Sequence, residues 1–315
     1  MKTSPRFISS QGAAGCSCVS LALLCFSLLA PAAQAQVKRG DIHVDVNLVE
    51  ILASVSDADG HPLINLPQSA FSIAEEGVPQ QIVRFEPQTN RPLDIALMVD
   101  SSMSTVRDLK VEEESAADFV RQVVRPGDSL ALFEFSDAVA QLSEYTDNIP
   151  QLESATHRIE PGAGTAMYDA VVLGSRTLSH LPPGRRRAIV LVTDAGETTS
   201  ASTYDTAMRA AVASGALLYS VVIRPVNNEN GRNTAGEHAL ITIMDSAGGD
   251  FFVINSMEQL PEVFGQIDRE LRTQYLIGYY PNPTPPANAL RHISLTVAGA
   301  ATVRYRKQYF TPRAR

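Results

Sequence analysis

The chain of 315 residues has no tryptophan and only three cysteines, Cys16, Cys18 and Cys25. Everything after Cys25 is cysteine-free. For the body of the protein this excludes a disulfide scaffold, a thiolate zinc site, an iron–sulfur cluster and a cysteine nucleophile. Positive charge is also scarce. The 26 Lys and Arg against 34 Asp and Glu leave a formal charge of −8, the wrong sign for a nucleic-acid-binding face. No apolar run reaches the roughly 20 residues that a membrane span needs. Neither a G-x-S-x-G elbow nor a G-x-x-x-x-G-K loop occurs, which disfavours a serine hydrolase of the usual build and a P-loop NTPase. His43, His61, His157, His180, His238 and His292 never fall at helical ligand spacing, and they read as surface or packing residues.

What is present is an ordinary globular balance, 44% hydrophobic and 19% charged, in a chain long enough for about two domains. Residues 1–35 have the three-part layout of a secretory signal. Lys2 and Arg6 start it, Val19 to Ala30 is apolar, Pro31 ends the run, and Ala33-Gln34-Ala35 offers small residues for cleavage. Cleavage after Ala35 removes all three cysteines and two basic residues, taking the charge from −8 to −10. The expected product is exported, periplasmic or secreted, with no stable membrane insertion.

Residues 36–90 read as an N-terminal β unit. Asp41 to Ser56, Phe71 to Ala74 and Gln81 to Phe85 are strand-like, with turns at Asp57 to Gly60 and Glu75 to Pro79. Residues 91–280 change character. Apolar strands at Asp94 to Val99, Leu130 to Phe135, Ala188 to Thr193, Ala216 to Arg224, Phe251 to Ile254 and Tyr275 to Tyr279 alternate with amphipathic helices. This implies a doubly wound, mainly parallel α/β sheet covered on both faces, with a small β-sandwich beside it. Residues 281–315 read as a β-hairpin, His292 to Val297 and Thr302 to Phe310, packing back on the N-terminal β unit. The run Arg185-Arg186-Arg187 reads as a solvated lead-in to a buried strand, and the closing basic strand as a charge-guarded edge.

Three sequence elements converge on one chemistry. Asp100, Ser102 and Ser104 alternate just past the first parallel strand; Gly162-Ala163-Gly164-Thr165 precedes a helix; Asp194 ends a later apolar strand. Ligands of doubly wound sheets bind outside the carboxyl ends of the strands, so Asp100 and Asp194 can share a site. Two carboxylates and three hydroxyls form an all-oxygen donor set suited to Mg²⁺ or Mn²⁺, and less well to Ca²⁺. At least one coordination position stays open to water or to a carboxylate of a partner.

These residues resemble the von Willebrand factor A domain and its metal-ion-dependent adhesion site, over about Leu93 to Tyr280. The family's D-x-S-x-S motif maps onto Asp100, Ser102 and Ser104, its threonine onto Thr165 and its later aspartate onto Asp194. The resemblance implies a Rossmann-like α/β fold and a metal whose shell an Asp or Glu of a protein partner completes. It implies a binding or adhesion module and not an enzyme. The flanks are similar to bacterial exported proteins with a VWFA-related domain, through Gly60-x-Pro62-x-x-x-Leu66, Phe71-x-Ile73-x-Glu75-x-Gly77, Tyr279-Tyr280 and Arg304 to Phe310. Two departures from the family concern the loops. Met103 stands where many members have Gly, and Ala195 follows Asp194 where many have Gly directly. Two other functions remain open on the sequence: a metal-assisted phosphoester hydrolase with Glu197 as base, and a structural part of an envelope assembly.

Overall fold

Strands that are apolar on both faces must be covered on both faces, and the central strands of this protein are of that kind. The computed structural model describes residues 48–102, 109–224 and 233–312. The expected signal segment and Ser104 lie outside them. The first strands are β1 (Val49–Ser56), β2 (Phe71–Glu75), β3 (Val78–Gln80) and β4 (Ile82–Glu86). The α/β part follows as β5 (Leu93–Asp100), α1 (Leu109–Val123), β6 (Ser129–Phe135), β7 (Val139–Gln141), α2 (Ile149–Thr156), α3 (Met167–His180) and β8 (Arg186–Thr193). It continues with α4 (Tyr204–Ser214), β9 (Leu217–Ile223), α5 (Thr234–Ala247), β10 (Gly249–Ile254) and α6 (Leu260–Arg272). The chain closes with β11 (Tyr275–Tyr279), β12 (Leu290–Val297), β13 (Thr302–Tyr305) and β14 (Gln308–Phe310).

The six-stranded sheet runs β10-β9-β8-β5-β6-β7, parallel except for β7. Side chains alternate across it as the period of two requires. Leu93, Ile95, Leu97 and Val99 of β5 join a core with Phe119 of α1 and Phe264 of α6. Ala96 and Met98 face the other way, into a core with Val171 of α3 and Leu240 of α5. From β5 the chain moves outward to β6, whereas β8, β9 and β10 lie on the other side of β5. The loops after β5 and β8 therefore open at a topological switch point, where such sheets bind ligands.

Two four-stranded antiparallel sheets, β13-β1-β11-β4 and β14-β12-β2-β3, form a sandwich. Its core holds Ile51, Ile73, Ile277 and Leu295, with Tyr275, Tyr279, Tyr305 and Tyr309. Three details differ from the sequence expectation. β3 occupies part of the segment read as a turn; it lies at a sheet edge, where Pro79 forfeits no needed donor. β11 does not extend the parallel sheet but pairs antiparallel with β1 and β4, so residues 275–279 belong to the sandwich. The closing stretch splits at Arg306-Lys307: β13 pairs with β1 in one sheet, while β14 pairs with β12 in the other. Periodicity alone could not separate these outcomes, because partner choice depends on distant strands.

The sandwich is fastened by one buried carboxylate. Glu75, 1% exposed, receives the Tyr279 hydroxyl at 2.7 Å, the Tyr309 hydroxyl at 3.0 Å and Arg291 Nε at 2.8 Å. Three separate sequence features thus meet on one side chain: the F-x-I-x-E-x-G stretch, Tyr279 and the closing strand. Tyr275 acts similarly on the G-x-P-x-x-x-L turn, donating to Leu63 O and accepting from Leu66 N. Replacing Glu75 with Ala strands two buried hydroxyls and a guanidinium. It should lower unfolding stability by about 3 kcal/mol or more in urea titrations, and Glu75→Gln, which keeps the acceptor oxygen, by clearly less.

Candidate metal centre

Asp100 is the last residue of β5 and is 1% exposed. The β5–β8 register sets Val99 opposite Val192, which brings the next residue of each strand together. Thr193 Oγ1 donates to Asp100 Oδ2 at 2.5 Å, and Ser102 N donates to Asp100 Oδ1 at 3.0 Å. Burial and the nearby charge of Asp194 push the Asp100 carboxyl up from 3.8 to about 6, against those hydrogen bonds. A carboxylate so placed favours a bound cation or a proton.

The glycine-bearing loop is clipped to the same edge. Ser102 forms a parallel bridge with Gly162, whose N–H donates to Ser101 O at 3.0 Å. Ala163 N donates to Asp137 Oδ2 at 2.8 Å. A Cβ on Gly162 would come within 2.2 Å of Ser136 Oγ, and one on Gly164 within 2.4 Å of the Thr199 methyl, so both positions require glycine. Thr165 is buried, its N–H held by Thr198 Oγ1 at 2.9 Å.

Asp194 is half-buried, and its Oδ1 accepts from Gly196 N at 2.8 Å. A Cβ on Gly196 would lie 2.9 Å from Asp194 Oδ1 and 3.1 Å from Thr165 Oγ1, so these two oxygens flank one small space. Ala195 has φ 63°, the left-handed region where glycine is at ease, with its N–H donated to Thr193 Oγ1 at 3.0 Å. The chain reaches this turn with alanine, and the Ala195 methyl is wholly buried. Gly236 of α5 closes against it, since a Cβ there would lie 1.9 Å from Ala195 O.

Four of the five sequence-derived donors, Asp100, Ser102, Thr165 and Asp194, thus lie at a strand end or on the loops beyond it at one end of the sheet, and Ser104 falls outside the described residues. All four offer oxygen, a donor set that fits a hard divalent ion. Sequence reasoning missed Thr193 as the hydroxyl on Asp100, and Asp137 as the brace of the glycine loop. Both sit at strand ends like the expected ligands, which is the signal that could have found them. Glu197 is engaged elsewhere: Oε2 accepts from Tyr168 N and Ser200 Oγ, and Oε1 from Ser200 N, capping α3. A second group, Asp57, Asp59 and His61, could hold a metal by proximity. It lies on an exposed turn where Asp57 Oδ1 already accepts from Asp59 N and His61 N.

Residues 95–197 match the family model described as the von Willebrand factor type A domain, and this segment belongs to that domain family. The α/β part that contains this segment has a von Willebrand A type of fold, a six-stranded, mostly parallel sheet flanked by helices. Among solved structures, a mutant of the PilB minor pilin from Streptococcus sanguinis has a TM-score of 0.50 at 12% identity, covering 59% of this chain and 62% of that one. The chain therefore spans less than two thirds of the pilin's length. A von Willebrand factor type A protein from Catenulispora acidiphila has a TM-score of 0.49 at 12% identity, over 84% of this chain and 74% of that one. Proximal thread matrix protein 1 from the mussel byssus, with a zinc-occupied MIDAS motif, has 0.47 at 15% identity, over 60% and 47%. At 12% identity the likeness to the pilin is one of fold alone. No curated protein matches the chain.

The raised Asp100 carboxyl carries a signed consequence. With a folded value of about 6 above the ordinary 3.8, the ionised carboxylate destabilises the metal-free fold. The penalty is full above pH 6, about 3 kcal/mol at most, and vanishes below the unfolded value. In EDTA at pH 7.5, Asp100→Asn should raise the thermal midpoint by a few degrees, and the gain should disappear as pH approaches 4.

Proposed function

We propose that the protein is an exported binding module that grips a divalent cation, Mg²⁺ or Mn²⁺ first and Ca²⁺ less well. The cation then presents an open coordination position to an Asp or Glu of a protein partner. The observation that carries this reading is the convergence of Asp100, Ser102, Thr165 and Asp194 at the β5/β8 switch point. The match to the von Willebrand factor type A domain over residues 95–197 supports it. Asp100 and Asp194 would act directly or through water, with Ser102, Ser104 and Thr165 supplying hydroxyls. Two carboxylates leave a divalent ion near neutrality, so it still attracts a further anion.

The residues around the ion favour recognition over turnover. A hydrolase needs a base free to take a proton from water. Glu197, the residue with the right chemistry, has both oxygens committed to capping α3 and its own turn. The export expectation rests on residues 1–35. Among the described residues no helix is long and apolar enough to cross a membrane.

Isothermal calorimetry with Mg²⁺ and Mn²⁺ tests the site. Binding should be lost in Asp100→Ala and Asp194→Ala. Gly196→Ala keeps every donor but crowds Asp194 and Thr165, and should weaken binding about tenfold or more. Unchanged ion binding in Asp100→Ala would overturn the assignment. Partner capture should require Mg²⁺ and fail in EDTA.

A further inference from the structure

The end of the sheet opposite the candidate metal centre holds a cavity rich in arginine. A cavity of about 350 Å³ lies where the sandwich meets the N-terminal ends of β5, β8 and β9. That places it roughly 25 Å from Asp100, the length of an eight-residue strand at about 3.3 Å per residue. Five arginines line it, Arg91, Arg185, Arg186, Arg187 and Arg306, against a single carboxylate, Glu50. This concentration of cationic side chains occurs in a chain whose net charge is −8.

Two of the five are neutralised. Arg91 pairs with Glu50 at 3.0 Å, and Arg185 with Asp94 at 2.7 Å. The other three form no ion pair among the described residues and are held chiefly by main-chain carbonyls, with Gln274 Oε1 also 3.4 Å from Arg186 Nη1 and the Tyr309 ring beneath Arg306. Arg186 Nε donates to Arg91 O at 2.8 Å, and its Nη1 donates to Leu271 O. Arg187 donates to Ser214 O at 3.1 Å and to Leu181 O at 3.0 Å. Arg306 Nη2 donates to Glu50 O at 2.7 Å. The carbonyls of Leu271 and Ser214 close α6 and α4, and their dipoles offset part of the Arg186 and Arg187 charge.

Two buried donors in this cluster have no partner among the described residues, Arg187 Nε and Arg306 Nε. Native proteins seldom leave such groups unmet, because each costs about 1–3 kcal/mol, and more when charged. Burial holds both guanidinium groups below their usual range, which an anion would reverse. The cavity volume falls at the lower end of small-ligand sites, about 300–1,000 Å³. Guanidinium forks match the geometry of tetrahedral oxyanions.

From this placement we infer a binding site for a phosphate- or sulfate-class oxyanion, contacted chiefly by Arg187 and Arg306, between the sandwich and the α/β sheet. An anion there joins β13–β14 to β8, so occupancy stiffens the junction of the two layers. The site uses none of the candidate metal ligands.

Thermal shift and calorimetry on the full chain test it, all in EDTA so that no divalent ion can recruit the anion. Inorganic phosphate should raise the midpoint saturably at constant ionic strength, and chloride should not. Glycerol phosphate as a separate arm distinguishes an esterified ligand from a free one. Exposed Ala213 lines the cavity, so Ala213→Glu sets a carboxylate at its wall without disturbing the core and should abolish the shift. Glu50→Gln removes the one acidic group and should tighten phosphate binding several-fold. A shift equal in chloride, or one untouched by both substitutions, would overturn the site. Asp100→Ala should leave phosphate binding unchanged, which separates this outcome from failure of the metal reading.

Discussion

A carboxylate buried at the end of a strand that is itself buried on both faces is the constraint around which the upper edge of this protein is built. Asp100 cannot turn to water, because the sheet and both helical layers enclose β5. Its charge is met by the Thr193 hydroxyl and the Ser102 N–H, and opposed by Asp194. Among the described residues, glycines let the loops at this edge pack closely. Gly162 and Gly164 admit Ser136 and Thr199, Gly196 leaves room for Asp194 and Thr165, and Gly236 lets α5 close on Ala195. The turn at Ala195, left-handed despite its methyl, is held by the Thr193 hydroxyl and complete burial.

The sandwich solves a different problem with the same device. Glu75 is as buried as Asp100 but is matched within the fold, by two tyrosine hydroxyls and Arg291. Strands from both ends of the chain, β2 and β12, are joined through it and through their own pairing. At the lower edge the imbalance reverses, with guanidinium groups outnumbering carboxylates. Asp100 shows excess negative charge, Glu75 a balance and the arginine cavity excess positive charge. The balanced centre serves the fold, and the unbalanced ones carry the two proposed ligand sites.

Much of this was legible in the sequence. The alternation of apolar strands and amphipathic helices identifies the α/β layer, because a parallel sheet needs crossover helices. Asp100, Ser102, Thr165 and Asp194 could be grouped because strand ends in such sheets share one edge. Other features were not legible. Arg186 precedes a strand and looks like a solvated charge, yet it is 3% exposed, since the sandwich and the α6 end close over it. Tyr275–Tyr279 has the apolar profile of a parallel strand but pairs antiparallel, a choice made by β1 and β4.

Composition and periodicity, being local, determined which segments are strands and helices, that thiol chemistry is absent from the body, and that oxygen donors cluster at strand ends. Tertiary structure decided what the buried charges meet. The partners of Asp100, Glu75, Arg187 and Arg306 lie between 27 and 256 residues away in sequence, apart from the Ser102 and Leu181 contacts. A charge's effect depends on burial and on neighbours within a few ångströms, and only the packed chain brings such neighbours together.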